Sequence, residues 1–203
     1  FDGGPTIVTV PELFEELWAL CGKTMSSDVD LRLMNPFYRI RFDDGRIFDY
    51  SNEKSENLRQ IREYNPDDAK GYERYLKASE ARHKVGFDLL DKPFSTLAQL
   101  MRFAPDLVRL RGDQSVYTLV SKYIKNEQLR QAVSFHPLLI GGNPFTASSL
   151  YSLISHLEVT GGVWSAMGGT GRIVEAMGNL IKGQGTDIRV NTEVDQITTA
   201  EGK

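Results

Sequence analysis

Apolar residues recur at helical spacing in the first element of the chain. Leu13, Phe14, Leu17, Trp18 and Leu20 form one stripe after Pro11, which suits a first turn. Thr9 is a candidate cap and Gly22 a stop, so the pattern predicts a helix over 11–20. From Leu31 the period changes to two. Leu31 and Leu33, then 37–42 and 46–50, alternate apolar with polar positions, and Asp43-Asp44-Gly45 separates the last two runs. That spacing predicts a β-hairpin. From 53 to 91 the pattern is helical and charged, broken at Asn65-Pro66, where proline begins a new helix. Tyr72, Tyr75, Leu76, Ser79 and His83 share one stripe of that second helix. Further helices are predicted over 96–110, 115–124, 127–138 and 144–157. Gly161-Gly162 interrupts, Val163-Trp164-Ser165 predicts a short strand, and Gly168-Gly169-Thr170-Gly171 opens a helix over 172–182. Ile188-Arg189-Val190 and 194–199 are β-branched and predict two more strands. Strand-rich flanks around a large helical insert make an α+β or α/β domain rather than one doubly wound unit.

Composition narrows the field. At 203 residues the chain has room for one domain or two small ones, with a substantial core. With 40% hydrophobic and 25% charged residues it is neither collagen, coiled coil nor disordered. The formal net charge of −3 excludes a general nucleic-acid binder, which needs a surplus of Lys and Arg. The single cysteine, Cys21, cannot form an intrachain disulfide; it fits a reducing compartment and reads as an inert core thiol. His83, His136 and His156 lack metal-ligand spacing and read as structural, and no Gly-x-Ser-x-Gly elbow supports hydrolase chemistry. No run approaches the ~18 apolar residues of a membrane-spanning helix. Phe1 in place of Met, and a Glu201-Gly202 turn with no return strand, predict a piece of a larger protein.

Four segments carry candidate chemistry. Gly168 to Gly171 before a helix suits either an anion cradle or a plain turn capped by Thr170, and it is neither a dinucleotide fingerprint nor a Walker loop. Asp2-Gly3-Gly4-Pro5-Thr6 is either a surface turn or a place where backbone approaches a flat ligand. The run from Phe135 to Phe145 holds the apolar side chains of Phe135, Leu138, Leu139, Ile140 and Phe145 and the pair Gly141-Gly142, which suits the wall of an apolar cavity as well as a buried helix end. The segment 94–111 sets Leu97, Leu100, Met101, Leu107 and Val108 against Arg102, Arg109 and Arg111. Such a basic amphipathic pattern fits a core-packed helix or one lying at a membrane interface.

Several further motifs follow one another along the chain. They are Phe1 to Thr6, Asn35-Pro36-Phe37-Tyr38-Arg39, Tyr64-Asn65-Pro66-Asp67-Asp68, Ser115-Val116-Tyr117 and Leu129-Arg130-Gln131-Ala132. The set continues through Ser134-Phe135-His136, Leu139 to Phe145, and Gly162-Val163-Trp164 ahead of Gly168 to Gly171, so it runs along essentially the whole chain. Taken in order, these motifs resemble the bacterial phytoene desaturase family of carotenoid-forming flavoenzymes.

The resemblance implies an amine-oxidase-like architecture, in which an FAD-binding Rossmann-type domain is interrupted by a substrate domain with a mixed β-sheet. On that footing 1–10 borders the FAD-binding domain. Residues 11–167 are the substrate domain with a helical insert over 53–158, and 168–203 return to the FAD-binding domain. It implies FAD near Gly3, Gly4, Pro5 and Thr6, with Val194 at the adenine end. It implies desaturation of a C40 carotenoid precursor, an apolar polyene held in a tunnel by Phe135, Leu138, Leu139, Ile140 and Phe145. Arg102 is the candidate charge near that tunnel, with a solvated helix face as the alternative account of it. It further implies a cytoplasmic enzyme, peripheral on the inner face of the membrane, whose internal piece is inactive alone. A carotene isomerase, another carotenoid oxidoreductase and a non-catalytic isoprenoid-binding module are the alternatives.

Overall fold

The computed structural model describes residues 6–87, 101, 104–106 and 108–199. They form an α+β arrangement in two compact units, one of 8–10 and 33–164, the other of 6–7, 11–32 and 165–199. Strands β1 (Leu31–Leu33) and β4 (Trp164–Ala166) pair with each other.

The larger unit starts from the hairpin. Strands β2 (Tyr38–Arg41) and β3 (Ile47–Tyr50) pair antiparallel, with Tyr38 opposite Tyr50 and Arg41 opposite Ile47. Gly45 turns the chain at φ +83°, a conformation that favours a residue without Cβ. Period two sends Phe48 and Tyr50 into the core, while Arg39 and Asp49 pair across the strands at 2.7 Å on the other face. The second edge of β3 meets helix α2 (Lys54–Tyr64). There the Gln60 amide accepts from Asp49 N–H and donates to Asp49 C=O, both at 2.8 Å. The buried Asn57 amide does the same for Ser51, at 3.0 and 2.6 Å.

Helix α3 (Asp68–Phe87) follows Pro66 and buries Tyr72, Tyr75 and Ser79, the stripe expected from spacing. Arg82 is buried with them, donating to Ala78 C=O at 2.8 Å and Leu110 C=O at 2.6 Å. Helix α4 (Val116–Ser121) is capped by Ser115, whose hydroxyl accepts from Thr118 N–H. Asn126 caps α5 (Glu127–Ser134) in the same way through Leu129 N–H. The helix expected over 127–138 changes at Pro137, which lacks an N–H, into a 3-10 turn, His136–Ile140, closed by Gly141 at φ +73°. The helix expected over 144–157 is displaced. Asn143 ties off a turn instead, accepting from Phe145 N–H at its side chain (2.9 Å) and from Ala147 N–H at its carbonyl (2.7 Å). Helical structure resumes in a 3-10 turn, Ser149–Ser152, and continues as α6 (Leu153–Gly161). Most of the predicted helix over 96–110 lies outside the described residues.

Helices α3 and α6 bring His83 and His156 together with ring centroids 5.0 Å apart, and Phe87 lies 4.3 Å from His83. Burial, then the neighbouring imidazole, lowers the basicity of His83, and burial lowers that of His156. The folded chain therefore binds these protons less readily than the unfolded chain. The associated stability is complete above the ordinary imidazole value of 6.5 and is lost as pH falls below it. The thermal midpoint should drop between about pH 7.5 and about pH 5.5 by more in the native protein than in the His83→Gln, His156→Gln double variant. Equal drops would show that the pair does not titrate with folding.

The smaller unit packs α1 (Pro11–Leu20) and a 3-10 turn, Met25–Ser27, with α7 (Gly171–Gly183). Its core is Trp18, Met25, Val29, Ile173, Ala176 and Leu180, and the Trp18 indole donates to Asp28 at 2.7 Å. Gly22, at φ +68°, ends α1 as expected. Cys21 beside it is only partly buried rather than in the core. Thr170 occupies the N-cap of α7 but does not cap it through its side chain; Gly168 and Gly169, at φ +85° and +88°, make the turn. The two strands expected over 188–190 and 194–199 do not form. Ile188, Val190, Val194 and Ile197 are exposed in irregular chain, because no strand among the described residues lies alongside to take their backbone groups.

Candidate functional site: an apolar cleft backed by a buried carboxylate

In the larger unit, α4, α5 and the loop after them enclose a cleft of about 520 Å³. That is within the usual ~300–1,000 Å³ range of small-molecule sites. Tyr117 from α4, Gln131 and Ser134 from α5, then Phe135, Leu138 and the segment from Gly141 to Phe145 line it. The local sequence explains the shape. Gly142 N–H donates to Pro137 C=O at 2.8 Å, and a Cβ there would lie 3.2 Å from the same oxygen, so the loop folds back tightly. Phe145, 61% exposed, tilts over Tyr117 with ring centroids 4.6 Å apart. The Tyr117 hydroxyl donates to Glu127 at 2.7 Å, and partial burial with that carboxylate pushes the phenol above its ordinary value. The lining carries no Asp, Glu, Lys, Arg or His. A site of this kind binds and orients an apolar ligand and leaves proton transfer to other groups. Among the described residues no group of three or more His, Cys, Asp or Glu is placed to hold a metal ion.

Behind the cleft wall lies a polar chain, fully buried at Glu158 and His136 and partly buried at Tyr38. Glu158 of α6 and His136 are both 0% exposed. The Tyr38 hydroxyl donates to Glu158 Oε1 at 2.8 Å, while Glu158 Oε2 lies 3.1 Å from His136 Nε2. That second contact falls outside hydrogen-bond geometry, so it is a close approach only, and neither atom has a hydrogen-bond partner. Ser155 Oγ lies 3.3 Å from His136 Nδ1 and 2.8 Å from the Tyr75 hydroxyl. Burial, then Glu158, raises Tyr38 far above the ordinary phenol value, so it stays a donor. Sequence reasoning missed Glu158. The available signal was a lone acid three residues after Ser155, on a helix with no other Asp, Glu, Lys or Arg.

The family model for flavin containing amine oxidoreductase matches residues 1–203. The chain belongs to that family. Within it, this chain is 44% identical over 200 residues to a lycopene-forming phytoene desaturase of a Paracoccus species, covering 98% of this chain and 40% of that protein. It is 43% identical to the lycopene-forming phytoene desaturase of Pantoea ananas over the whole chain and 42% of that protein. To the neurosporene-forming phytoene desaturase of Cereibacter sphaeroides it is 42% identical, again over the whole chain and 39% of the relative. The chain thus spans about two fifths of the length of the curated relatives it matches. The resemblance drawn from the ordered motifs is borne out.

Of the site residues expected in this flavin amine oxidoreductase chain, Phe135, Leu138 and Phe145 come together on the cleft wall. Leu139 and Ile140 share the turn with Leu138 but lie outside the lining, 42% and 57% exposed. Thr6 is exposed, and Val194 is 73% exposed in irregular chain. Gly3, Gly4, Pro5 and Arg102 lie outside the described residues. So does most of 94–111, of which Met101 and Val108 are exposed and Leu110 is buried.

Proposed function

We propose that this chain is the substrate-binding part, with borders of the FAD-binding part, of a phytoene-desaturase-type enzyme. That enzyme introduces C=C bonds into a C40 carotenoid precursor. The observation that carries this reading is the 42–44% identity to bacterial phytoene desaturases along essentially every residue of the chain. The uncharged cleft supports it, since a hydrocarbon polyene offers shape and no polar handle. Phe135, Leu138 and Phe145 would grip the polyene, with Leu139 and Ile140 extending the apolar rim on the same turn.

In this reading 1–10 and 168–203 border a Rossmann-type FAD domain, and 11–167 form the substrate domain with its insert at 53–158. Gly3, Gly4, Pro5 and Thr6 would lie by the flavin, and Val194 would meet the adenine through its backbone. Thr6 and Val194 suit that role in being exposed and in falling within the same compact unit. FAD, when bound, supplies the oxidising capacity for removing hydrogen from the polyene. The chain's own residues hold the polyene in register and keep water from it. Arg102 is the cation proposed near the tunnel. The segment 94–111 is the proposed contact with the inner face of the cytoplasmic membrane, supported by the exposed Met101 and Val108.

The test is a bulky substitution in the cleft of the intact protein. Leu138→Trp should lower kcat/KM for phytoene about 10-fold, while Ile47→Trp, exposed on the hairpin, stays within about 2-fold. Unchanged turnover by Leu138→Trp with flavin still bound would overturn the cleft as the polyene site.

A further inference from the structure

We infer that Glu158 is a positioning residue for the cleft wall, acting through Tyr38 and His136 on the ring of Phe135. The inference rests on the reading of the cleft as the polyene site. Phe135 is the lining residue that also turns inward to the polar chain. The Tyr38 ring meets it edge-on with centroids 5.0 Å apart at 79°, and the His136 ring lies against it at 4.6 Å and 36°. Tyr50 closes the far side, 6.5 Å from Phe135 and 5.7 Å from His136.

The two rings that flank Phe135 both end on one carboxylate. Tyr38 reaches Oε1 at 2.8 Å and His136 approaches Oε2 at 3.1 Å. Ser155, one turn earlier on α6, lies by the other nitrogen of the same imidazole, 3.3 Å away. Ser155 therefore meets one end of the His136 ring, and the Glu158 carboxylate bounds the other. A fully buried carboxylate is an expensive way to fill a core, since an apolar side chain of similar volume avoids the desolvation cost. What a carboxylate adds is direction: one oxygen sets where the phenol points, and the other stands against the imidazole. Here those directions set the place of a phenyl ring on the cleft wall.

The experiment is a double-mutant cycle in the intact protein. It reads KM and kcat for phytoene and, independently of turnover, the Kd of lycopene in detergent micelles from its visible absorption. Glu158→Gln keeps an acceptor for Tyr38 but turns an amide toward His136. Tyr38→Phe removes one hydroxyl and keeps the ring. Each should raise KM and Kd about 3- to 10-fold with kcat within about 2-fold. Phe135→Leu should raise Kd as well. In the Phe135→Leu background, Glu158→Gln should add nothing, because the ring it positions is gone. Additive effects, or a Kd unchanged in Tyr38→Phe and Glu158→Gln while Phe135→Leu weakens binding, would overturn the positioning role and leave the cleft reading intact. A Phe135→Leu protein that binds lycopene normally would overturn both. Should Glu158→Gln fail to fold, Tyr38→Phe carries the cycle. A purely structural role for Glu158 predicts a lower thermal midpoint with Kd unmoved, which also overturns the proposal.

Discussion

Replacing Gly71 with alanine should lower the thermal midpoint by about 6–12 °C, equivalent to about 3 kcal/mol for a chain of this size. On an open helix surface the same change would stabilise, by up to about 1 kcal/mol, because alanine is the better helix former. The sign reverses here because Gly71 sits where α3 touches the backbone after α4. A Cβ would lie 1.9 Å from the carbonyl oxygen of Tyr123 and 2.9 Å from its carbonyl carbon. Neither side can step aside cheaply. Gly71 is in the first turns of a 20-residue helix, and the Tyr123 region is held by Tyr123 and Ile124 N–H bonds to Val120 C=O at 2.9 and 3.0 Å. Thermal unfolding followed by far-ultraviolet circular dichroism checks it. A midpoint equal to that of the native protein would mean α3 and the Tyr123 backbone are not in contact.

Asp68 should rank next. Its side chain, 1% exposed, accepts from Lys125 N–H at 2.7 Å and Asn126 N–H at 2.8 Å, joining the start of α3 to the turn before α5. Each bond has a carboxylate acceptor, a class worth about 1.5–3 kcal/mol. Asp68→Ala removes both and strands two N–H groups in a packed turn, so a loss of about 3 kcal/mol is expected. Asp68→Asn keeps one carbonyl acceptor and should lose roughly half as much. Urea titration separates the outcomes. If alanine is no worse than asparagine, the two backbone bonds do not carry the effect.

Local patterns with a self-contained physical cause were readable without a structure. Asp43-Asp44-Gly45 between alternating runs specifies a hairpin, because turn and pleat agree on one register. The stripe of Tyr72, Tyr75 and Ser79 specifies which face of α3 is buried. Asn143 misled because its side chain and carbonyl each take a nearby N–H, and that competition with helix does not show in apolar spacing. The β-branched 188–199 segment carries strand preference, but strand structure needs a neighbour. At the cleft, the apolar and glycine run pointed to the wall. Tyr117 and Gln131 belonged to the ordered motifs but did not stand out as wall residues, because cavities are closed by tertiary contacts. Glu158 was invisible for a related reason: an acid on a short helix looks solvated until its partners, Tyr38 and His136, arrive from distant sequence.

The amides of Asn57 and Gln60 have a consequence for how the protein behaves among copies of itself. A hairpin strand ordinarily leaves one row of N–H and C=O groups available to any passing extended segment, which is how sheets recruit foreign chains. On that row beside β3, the groups of Asp49 are already engaged by Gln60 and those of Ser51, just past the strand, by Asn57. Two side-chain amides one helical turn apart imitate the peptide groups of a missing neighbour strand. The fold thereby covers part of a nucleation edge for aggregation without adding a strand.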